Sequence, residues 1–348
     1  MKKSQKTVEK IEIKKSKSTT SAKKSGEIKT TTSNKKASTE KTPKKIKTSI
    51  KTIIEYPKNI KILGYHDLQL NTNIYDEVEN PKAVVLILHG MMEHCGRYDN
   101  FAKFLNKQGF VAITTDLRGH GLTATSKSRL GFGEEDIYNE TLQDLQKMIS
   151  FINSTYALPL YVFAHSYGSL LCQRLIQIAP SIEKCVLCGT TNGSSAIMKL
   201  GGMACKFLSL FKSDSSKGGL LEKMCIKAYG KKFENGNWFS RDESIFAAYL
   251  TDEYCGGSFP FGFYRSMILN CNKANSGIKN IGQKKIFLIV GSQDPVGANG
   301  KHVKSLHKLY LKNNVNSKLK IYENCRHELL NELNKNEVYE DIVNFFNS

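Results

Sequence analysis

The sequence lacks long apolar runs and also lacks the dense cysteine pattern of a small disulfide-stabilised protein. No stretch has the roughly 18 consecutive apolar residues that a membrane-spanning helix requires, and the basic N-terminus is not followed by the apolar core of a signal peptide. The nine cysteines are an odd number and are spread along the chain, which is typical of a reducing compartment. We therefore expect a cytoplasmic protein, with peripheral association with a membrane left open.

Motifs for metal binding are scarce as well. Cys185 and Cys188 have the spacing of half a zinc site, but they lie in an apolar run that predicts a strand, and no second pair follows. Buried thiols are therefore the favoured interpretation. The sequence predicts neither a metal nor a cofactor.

The N-terminal tail, residues 1–52, has few apolar residues and neither arginine nor aromatic residues. It carries 17 lysines and 4 glutamates, a net charge of +13 out of +19 for the chain. This composition cannot bury enough apolar surface to offset the entropy lost on ordering, so it predicts a disordered segment. A solvated spacer is the favoured role, and a weak contact with an anionic membrane or RNA, without specific nucleic-acid recognition, is the alternative. Residues 53–348 are long enough for one folded domain.

A strand, a tight turn and a helix meet at Ser166. Residues 160–163 form an apolar run, as a strand buried on both faces requires, and leucines and isoleucines recur at helical spacing after the serine. The small residues Ala164 and Gly168 flank the serine, as a tight turn demands. We therefore interpret Ser166 as a nucleophile at the end of a parallel strand, with the amide of Tyr167 facing any anion formed there.

Strand and helix patterns alternate along most of the chain after the tail. Between about residues 191 and 275 the alternation lapses, which predicts a cap inserted after the sixth strand. The alternation itself predicts an α/β fold with a mostly parallel sheet and helices on both faces. Two short antiparallel strands are expected within residues 53–76, and the later strands at residues 83–88, 111–114, 160–163, 182–188, 285–290 and 318–322.

The three residue types that acyl transfer requires each follow a different predicted strand. In chain order they are Ser166, Asp294 and His327. A serine hydroxyl needs an imidazole to take its proton, and a carboxylate holds that imidazole in the right tautomer. Because functional residues collect at the carboxyl ends of parallel strands, we expect the three to meet. Asp116 is the reserve acid, although its loop is better suited to bracing the site, and His165 should point away from it.

A second oxyanion donor is predicted at Met91. Gly90 comes two residues after the apolar run of residues 83–88. A glycine at this point allows the backbone to turn sharply, so that the following amide can face the top of the sheet.

Several motifs occur together in this chain. They are His89-Gly90-Met91-Met92-Glu93-His94 with Arg97-Tyr98, Asp116-Leu117-Arg118-Gly119-His120-Gly121, the turn around Ser166, Gly291-Ser292-Gln293-Asp294-Pro295-Val296, and Arg326-His327-Glu328. With them the chain, from about residue 55 to its end, resembles the monoacylglycerol lipase and lysophospholipase branch of the α/β-hydrolases, often grouped with the serine aminopeptidases. The resemblance implies the α/β-hydrolase fold, a cap between the sixth and seventh strands, and oxyanion amides at Met91 and Tyr167. Ala164 departs from the usual Gly-x-Ser-x-Gly, and Met92 stands where some members have glycine.

An apolar face within the predicted cap suggests the substrate. Its candidate substrate-binding residues are Met198, Met203, Phe207 and Phe211. Methionine adapts its shape, so such a face would suit one flexible acyl chain, and plain packing between cap and core is the alternative.

We therefore expect a carboxylic ester hydrolase that works through an acyl-enzyme on a monoacyl lipid, either a lysophospholipid or a monoacylglycerol. An aminopeptidase or amidase of the same fold, and a non-catalytic binding protein on this scaffold, are the alternatives. The sequence does not indicate an oligomeric state.

Overall fold

The computed structural model describes residues 56–348, so the predicted disorder of residues 1–52 concerns a segment outside the described residues. The described part contains an eight-stranded sheet in the order β1-β2-β4-β3-β5-β6-β7-β8. β2 runs antiparallel to both of its neighbours, and all other pairs are parallel. The strands are β1 (Lys58–Leu63), β2 (Gln69–Tyr75), β3 (Val84–Leu88), β4 (Val111–Thr115), β5 (Leu160–His165), β6 (Ile182–Cys188), β7 (Lys285–Gly291) and β8 (Asn316–Tyr322).

Helices cover both faces of this sheet. They are α1 (Asp99–Lys107), α2 (Ile137–Thr155), α3 (Ser166–Ile178), α4 (Ala196–Leu208), α5 (Gly219–Glu222), α6 (Ala228–Gly230), α7 (Glu243–Thr251), α8 (Phe261–Cys271), α9 (Lys301–Lys312) and α10 (Lys335–Asn347). A π-helical turn, Lys223–Lys227, joins the two short helices α5 and α6, and short 3₁₀ turns occur in several loops. No helix in residues 56–348 is both long enough and apolar enough to cross a bilayer.

The alternation of side chains along the central strands explains the two helical layers. Leu86 and Leu88 of β3 belong to an apolar cluster that includes residues of α2, α3, α8 and α9. Ile87, between them, belongs to a second cluster with residues of α1 and α10. Successive side chains of a strand point to opposite faces, so a strand covered on both sides must be apolar at every position. The predicted α/β-hydrolase fold is confirmed.

The insert, residues 189–284, lies between β6 and β7 and contains α4 to α8. It is the part of the chain in which the regular alternation of strand and helix was expected to lapse. β5, β6, β7 and β8 are neighbours and parallel. The loops that follow their carboxyl ends therefore share one edge of the sheet, and the insert emerges at that same edge.

Candidate active site

Ser166 lies in a strained turn between β5 and α3. Its φ angle of 49° falls in the left-handed region that side chains other than glycine rarely adopt. Gly168 makes the turn possible, because a Cβ at this position would lie only 2.6 Å from the carbonyl oxygen of His89. The first turn of α3 therefore packs closely against the end of β3. Ala164, the departure from the usual glycine, is fully buried and is accommodated within β5.

The structure brings Ser166, His327 and Asp294 into one chain of hydrogen bonds. His327 Nε2 lies 2.9 Å from Ser166 Oγ, and His327 Nδ1 lies 2.9 Å from Asp294 Oδ1. A carboxylate only accepts, so Nδ1 carries the proton and Nε2 is left to accept from the serine hydroxyl. The amide of Val296 also donates to Asp294 Oδ1, at 2.9 Å, which holds that carboxylate in place.

Two rings enclose the imidazole of His327. The Trp238 ring centroid lies 5.0 Å away, and that of His165 lies 4.7 Å away. Burial alone would lower the pKa of His327, but the carboxylates of Asp294, Glu328 and Glu93 together outweigh burial, and the net pKa is raised. The site therefore favours an imidazolium, the form that follows proton transfer from serine.

We expected the side chain of His165 to point away from the site, and this expectation is wrong. It lines the same cavity as Ser166. Burial, followed by the nearby His327, lowers the pKa of His165 to about 4, so this ring is neutral at physiological pH. His165 is the last residue of β5, so it lies at the carboxyl edge of the sheet, where the active-site loops meet.

The loop that follows β3 passes close to the serine. A Cβ on Gly90 would lie 2.6 Å from Glu93 Oε1 and 3.1 Å from the Cβ of Ser166, so the absence of a side chain here allows the close approach of the loop. The Gly90 amide donates to Glu93 Oε1 at 2.5 Å, which closes the loop on itself. Met91 and Tyr167, the two predicted oxyanion donors, line the cavity together with Ser166. Met92 has a left-handed φ of 59°, a conformation that glycine adopts more easily.

A buried ion network joins this loop to the loop of the active-site histidine. Arg97 binds Glu328 through two hydrogen bonds, of 2.8 Å and 2.7 Å, and binds Glu93 at 2.6 Å. Arg97 and Glu328 are separated by 231 residues in the chain. Burial alone would raise the pKa of Glu93, but Arg97 and two histidines lower it to about 2. Arg97 and Glu328 each stand in one of the motifs of the sequence, but neither motif indicates that the two residues pair.

Asp116, the reserve acid, has other partners. Its carboxylate accepts from the amides of Cys95 and Leu122, each at 2.8 Å, and from the side chain of Asn71 at 2.9 Å. These bonds tie the loop after β4 to β2 and to the loop after β3. Asp116 therefore braces the loops, and Asp294 is the carboxylate that contacts His327.

A cavity of about 340 Å³ lies over Ser166. This volume is at the lower end of the range of about 300–1,000 Å³ that is usual for small-molecule sites. The wall combines apolar residues with polar and aromatic ones. The apolar residues include Leu170, Met198, Met224, Ile226, Met267 and Ile268, and the polar and aromatic residues include Glu93, Arg97, Thr191, Trp238, Tyr249, His302 and Glu328.

The predicted apolar face of the cap is divided between two sides of α4. Met198 lines the cavity, but Met203, Phe207 and Phe211 do not. These three side chains are 62%, 62% and 74% exposed, which corrects the expectation that they form the wall of the pocket. The reason is helical spacing: positions 198, 201 and 205 share one side of α4, whereas 200, 203 and 207 share the other. Both sides are apolar, so composition alone could not separate them.

Comparisons with known proteins support the fold and identify the family. The sequence model of the family described as serine aminopeptidase, S33, matches residues 79–334. A monoglyceride lipase homolog of monkeypox virus is 25% identical over 252 residues, which are 72% of this chain and 83% of that protein.

Two solved structures show the same fold. A thermostable carboxyl esterase from Bacillus coagulans, in complex with glycerol, has a TM-score of 0.76 and 23% identity over 83% of this chain and 97% of that one. A soluble variant of monoglyceride lipase from Saccharomyces cerevisiae, in complex with a substrate analog, has a TM-score of 0.64 and 18% identity over 88% of this chain and 97% of that one. The chain is therefore a hydrolase that belongs to the serine aminopeptidase S33 family, in the monoglyceride lipase-like branch of the α/β-hydrolases.

Proposed function

We propose that this protein is a serine hydrolase that cleaves carboxylic esters through an acyl-enzyme, with Ser166 as nucleophile, His327 as general base and acid, and Asp294 as the supporting carboxylate. The observation that carries the proposal is the chain of two 2.9 Å hydrogen bonds from Ser166 through His327 to Asp294. It lies at the wall of a largely apolar cavity.

In the first half of the reaction, Ser166 Oγ attacks the ester carbonyl carbon while His327 Nε2 takes the hydroxyl proton. The imidazolium then gives that proton to the leaving alkoxide oxygen, and the acyl group stays on the serine. In the second half, His327 takes a proton from water, the hydroxide attacks the acyl-enzyme, and the proton returns to Ser166. Asp294 stays ionised throughout and stabilises the charged imidazole.

The negative charge on the carbonyl oxygen needs donors at each tetrahedral stage. We assign this role to the amides of Met91 and Tyr167. Tyr167 is the second residue of α3, where backbone N–H groups lack helical partners and the helix dipole favours an anion. Met91 follows Gly90, the residue whose missing Cβ lets the loop approach Ser166. Removing one donor from such a site commonly costs about 10²–10³ in kcat.

The shape and polarity of the cavity favour a monoacyl lipid. Three methionines, Met198, Met224 and Met267, supply a wall that can adapt to a flexible chain. The polar and aromatic residues of the lining offer partners for a small head group. A cavity of about 340 Å³ suits one acyl chain rather than three. We therefore propose monoacylglycerols and lysophospholipids as the substrate class.

An aminopeptidase activity, which the name of the family would allow, fits the cavity less well. An aminopeptidase needs a carboxylate with unsatisfied charge to bind the α-ammonium group of its substrate. Among the cavity-lining residues, Glu93 and Glu328 are the carboxylates, and both are bound to Arg97. That pairing removes the charge that would select an amine.

A substrate panel tests this proposal. Purified protein and its Ser166→Ala variant are assayed with a monoacylglycerol, a lysophospholipid, a triacylglycerol and an aminoacyl anilide. We expect release of fatty acid from the two monoacyl lipids, slower release from the triacylglycerol and no cleavage of the anilide. Ser166→Ala should lower kcat by about 10⁴-fold or more. Efficient anilide cleavage with poor lipid hydrolysis would contradict the proposed substrate class.

A further inference from the structure

Three side chains with metal-binding atoms meet where the insert touches the loop after β3. They are His94 from that loop, and Asp252 and Cys255 from the turn that follows α7. One nitrogen, one carboxylate oxygen and one sulfur all lie within 4.8 Å of one another. No other group of three or more such side chains with this spacing is found within residues 56–348. The sequence pattern does not reveal this group, because His94 and Asp252 are far apart in the chain.

The donor types and distances fit a tetrahedral metal ion. Zinc binds thiolate sulfur at about 2.3 Å and imidazole nitrogen or carboxylate oxygen at about 2.0–2.2 Å, so its ligand atoms lie about 3.3–3.7 Å apart. His94 Nε2 and Asp252 Oδ2 are 2.8 Å apart and would have to separate slightly. The sulfur of Cys255 needs to move by no more than about 1 Å relative to them. Small rotations of three partly exposed side chains can supply these changes.

The three side chains are only partly buried, so an ion and a completing water ligand can reach them from solvent.

Metal binding requires one change of tautomer. The amide of Gly96 donates to His94 Nδ1 at 3.2 Å, and Nε2 therefore carries the proton that it donates to Asp252. A metal at Nε2 displaces this proton to Nδ1 and breaks the long bond from Gly96. The thiol of Cys255 releases its proton to solvent, and water can complete the coordination.

We propose that His94, Asp252 and Cys255 form a binding site for Zn²⁺ or a divalent ion of similar softness, which fastens the insert to the loop after β3. The location gives the site a mechanical consequence. The amide of Gly256 already donates to the carbonyl oxygen of Met92 at 2.8 Å, directly beside the three ligands. A bound ion adds a second, stronger link across the same junction. This loop also carries Met91, whose backbone we assign to the oxyanion site.

The experiment uses the full chain and Zn²⁺ alone. Native mass spectrometry and calorimetry give the number of ions bound and their Kd for the wild type, for Cys255→Ser and for His94→Gln. His66→Gln is the matched control, because His66 and Glu134 form a histidine–carboxylate pair at the same 2.8 Å without a thiol. The N-terminal residues 1–55 contain no histidine or cysteine to compete for the ion. Co²⁺ serves as a spectroscopic probe, since thiolate coordination gives it a charge-transfer absorption band.

We expect one Zn²⁺ per chain and a thiolate–Co²⁺ band in the wild type and in His66→Gln. Replacing a residue that only supports a zinc ligand commonly costs about 10–100-fold in affinity, so loss of a direct ligand in Cys255→Ser or His94→Gln should weaken binding by at least about 100-fold. Hydrogen exchange of the Gly256 amide should slow when Zn²⁺ is added to the wild type. Unchanged Kd values in both variants, or the absence of a thiolate band in the wild type, would overturn the proposal. These readouts do not depend on hydrolase activity.

Discussion

Replacement of Arg97 by methionine tests whether the buried ion network holds the active-site loops together. Arg97 is 12% exposed, and its partners Glu93 and Glu328 are 4% and 5% exposed. Methionine retains much of the apolar volume of the arginine stem but provides neither charge nor hydrogen bonds. Two carboxylates would then share a buried site without a cation.

The expected loss of stability follows from the geometry. Glu93 and Glu328 both bind Nη1 of Arg97, at 2.6 Å and 2.8 Å, so the two carboxylate oxygens lie at most about 5.4 Å apart. At an effective dielectric constant of about 20, the repulsion between two charges at that distance is about 3 kcal/mol. Breaking a buried pair from one side commonly costs about 3–5 kcal/mol. We therefore expect Arg97→Met to lower the free energy of unfolding by about 3–5 kcal/mol at pH 7.

The loss should depend on pH in a defined direction. The folded-state pKa of Glu93 is about 2, below its ordinary value of 4.5. A depressed carboxylate pKa contributes stability that is present above the unfolded pKa and is lost as pH falls through the folded one. The wild type therefore loses this contribution between about pH 4.5 and pH 2. In Arg97→Met the carboxylates should take up protons more easily, so the difference between the two proteins should shrink as pH falls below about 4.5.

Urea unfolding at pH 7 and at pH 4 measures both effects. Lys103→Met is the matched control, because Lys103 and Asp99 form an exposed i,i+4 pair at 2.7 Å. Loss of such a surface pair should change stability by less than about 1 kcal/mol. Arg97→Lys should fall between the two, since lysine keeps the charge but not the two-pronged geometry. If Arg97→Met were no less stable than Lys103→Met at pH 7, the network would not have the structural role we assign to it.

Three further predictions concern the histidine, the pocket and the tail. Because the pKa of His327 is raised, kcat/KM should fall as the solution is acidified, with the midpoint of that fall above pH 6.5. A midpoint well below pH 6.5 would contradict this. Asp294→Asn should lower kcat by up to about 10⁴-fold. Met198→Ala should reduce kcat/KM for medium-chain monoacyl esters several-fold, because each lost methylene contact costs about 0.8 kcal/mol. Met203→Ala, on the exposed side of the same helix, should leave kcat/KM unchanged. Equal effects of the two changes would refute the assignment of Met198 to the cavity wall. Removal of residues 1–52 should leave the melting temperature unchanged, and any loss of activity should appear only on anionic vesicles and fade with salt; a large drop in melting temperature would refute the predicted disorder.

Local patterns were sufficient to predict a mostly parallel sheet and the positions of its central strands along the chain. The uninterrupted apolar runs of β3, β5 and β7 correspond to strands covered by helices on both faces. The positions of Ser166, Asp294 and His327 just beyond three strands predicted that they would meet, because parallel strands end at one edge of the sheet. Both conclusions depend on periodicity over a few residues, which the sequence displays directly.

Features that depend on distant parts of the chain could not be predicted in this way. The bond between Arg97 and Glu328 spans 231 residues, and nothing local to either residue identifies its partner. The ring contact of Trp238 with His327 likewise depends on how the insert folds back over the sheet. Helical spacing divides the residues of α4 between two sides of the helix. Because both sides are apolar, composition does not show which of them faces the cavity.

Labelling with a fluorophosphonate probe, followed by peptide mapping, tests the central claim most directly. The probe forms a covalent bond with a serine only where a base and an oxyanion site activate it. Our account predicts one adduct per chain, on Ser166, with labelling abolished in Ser166→Ala and strongly slowed in His327→Ala. An unlabelled wild-type protein, or an adduct on another residue that persists in Ser166→Ala, would contradict it.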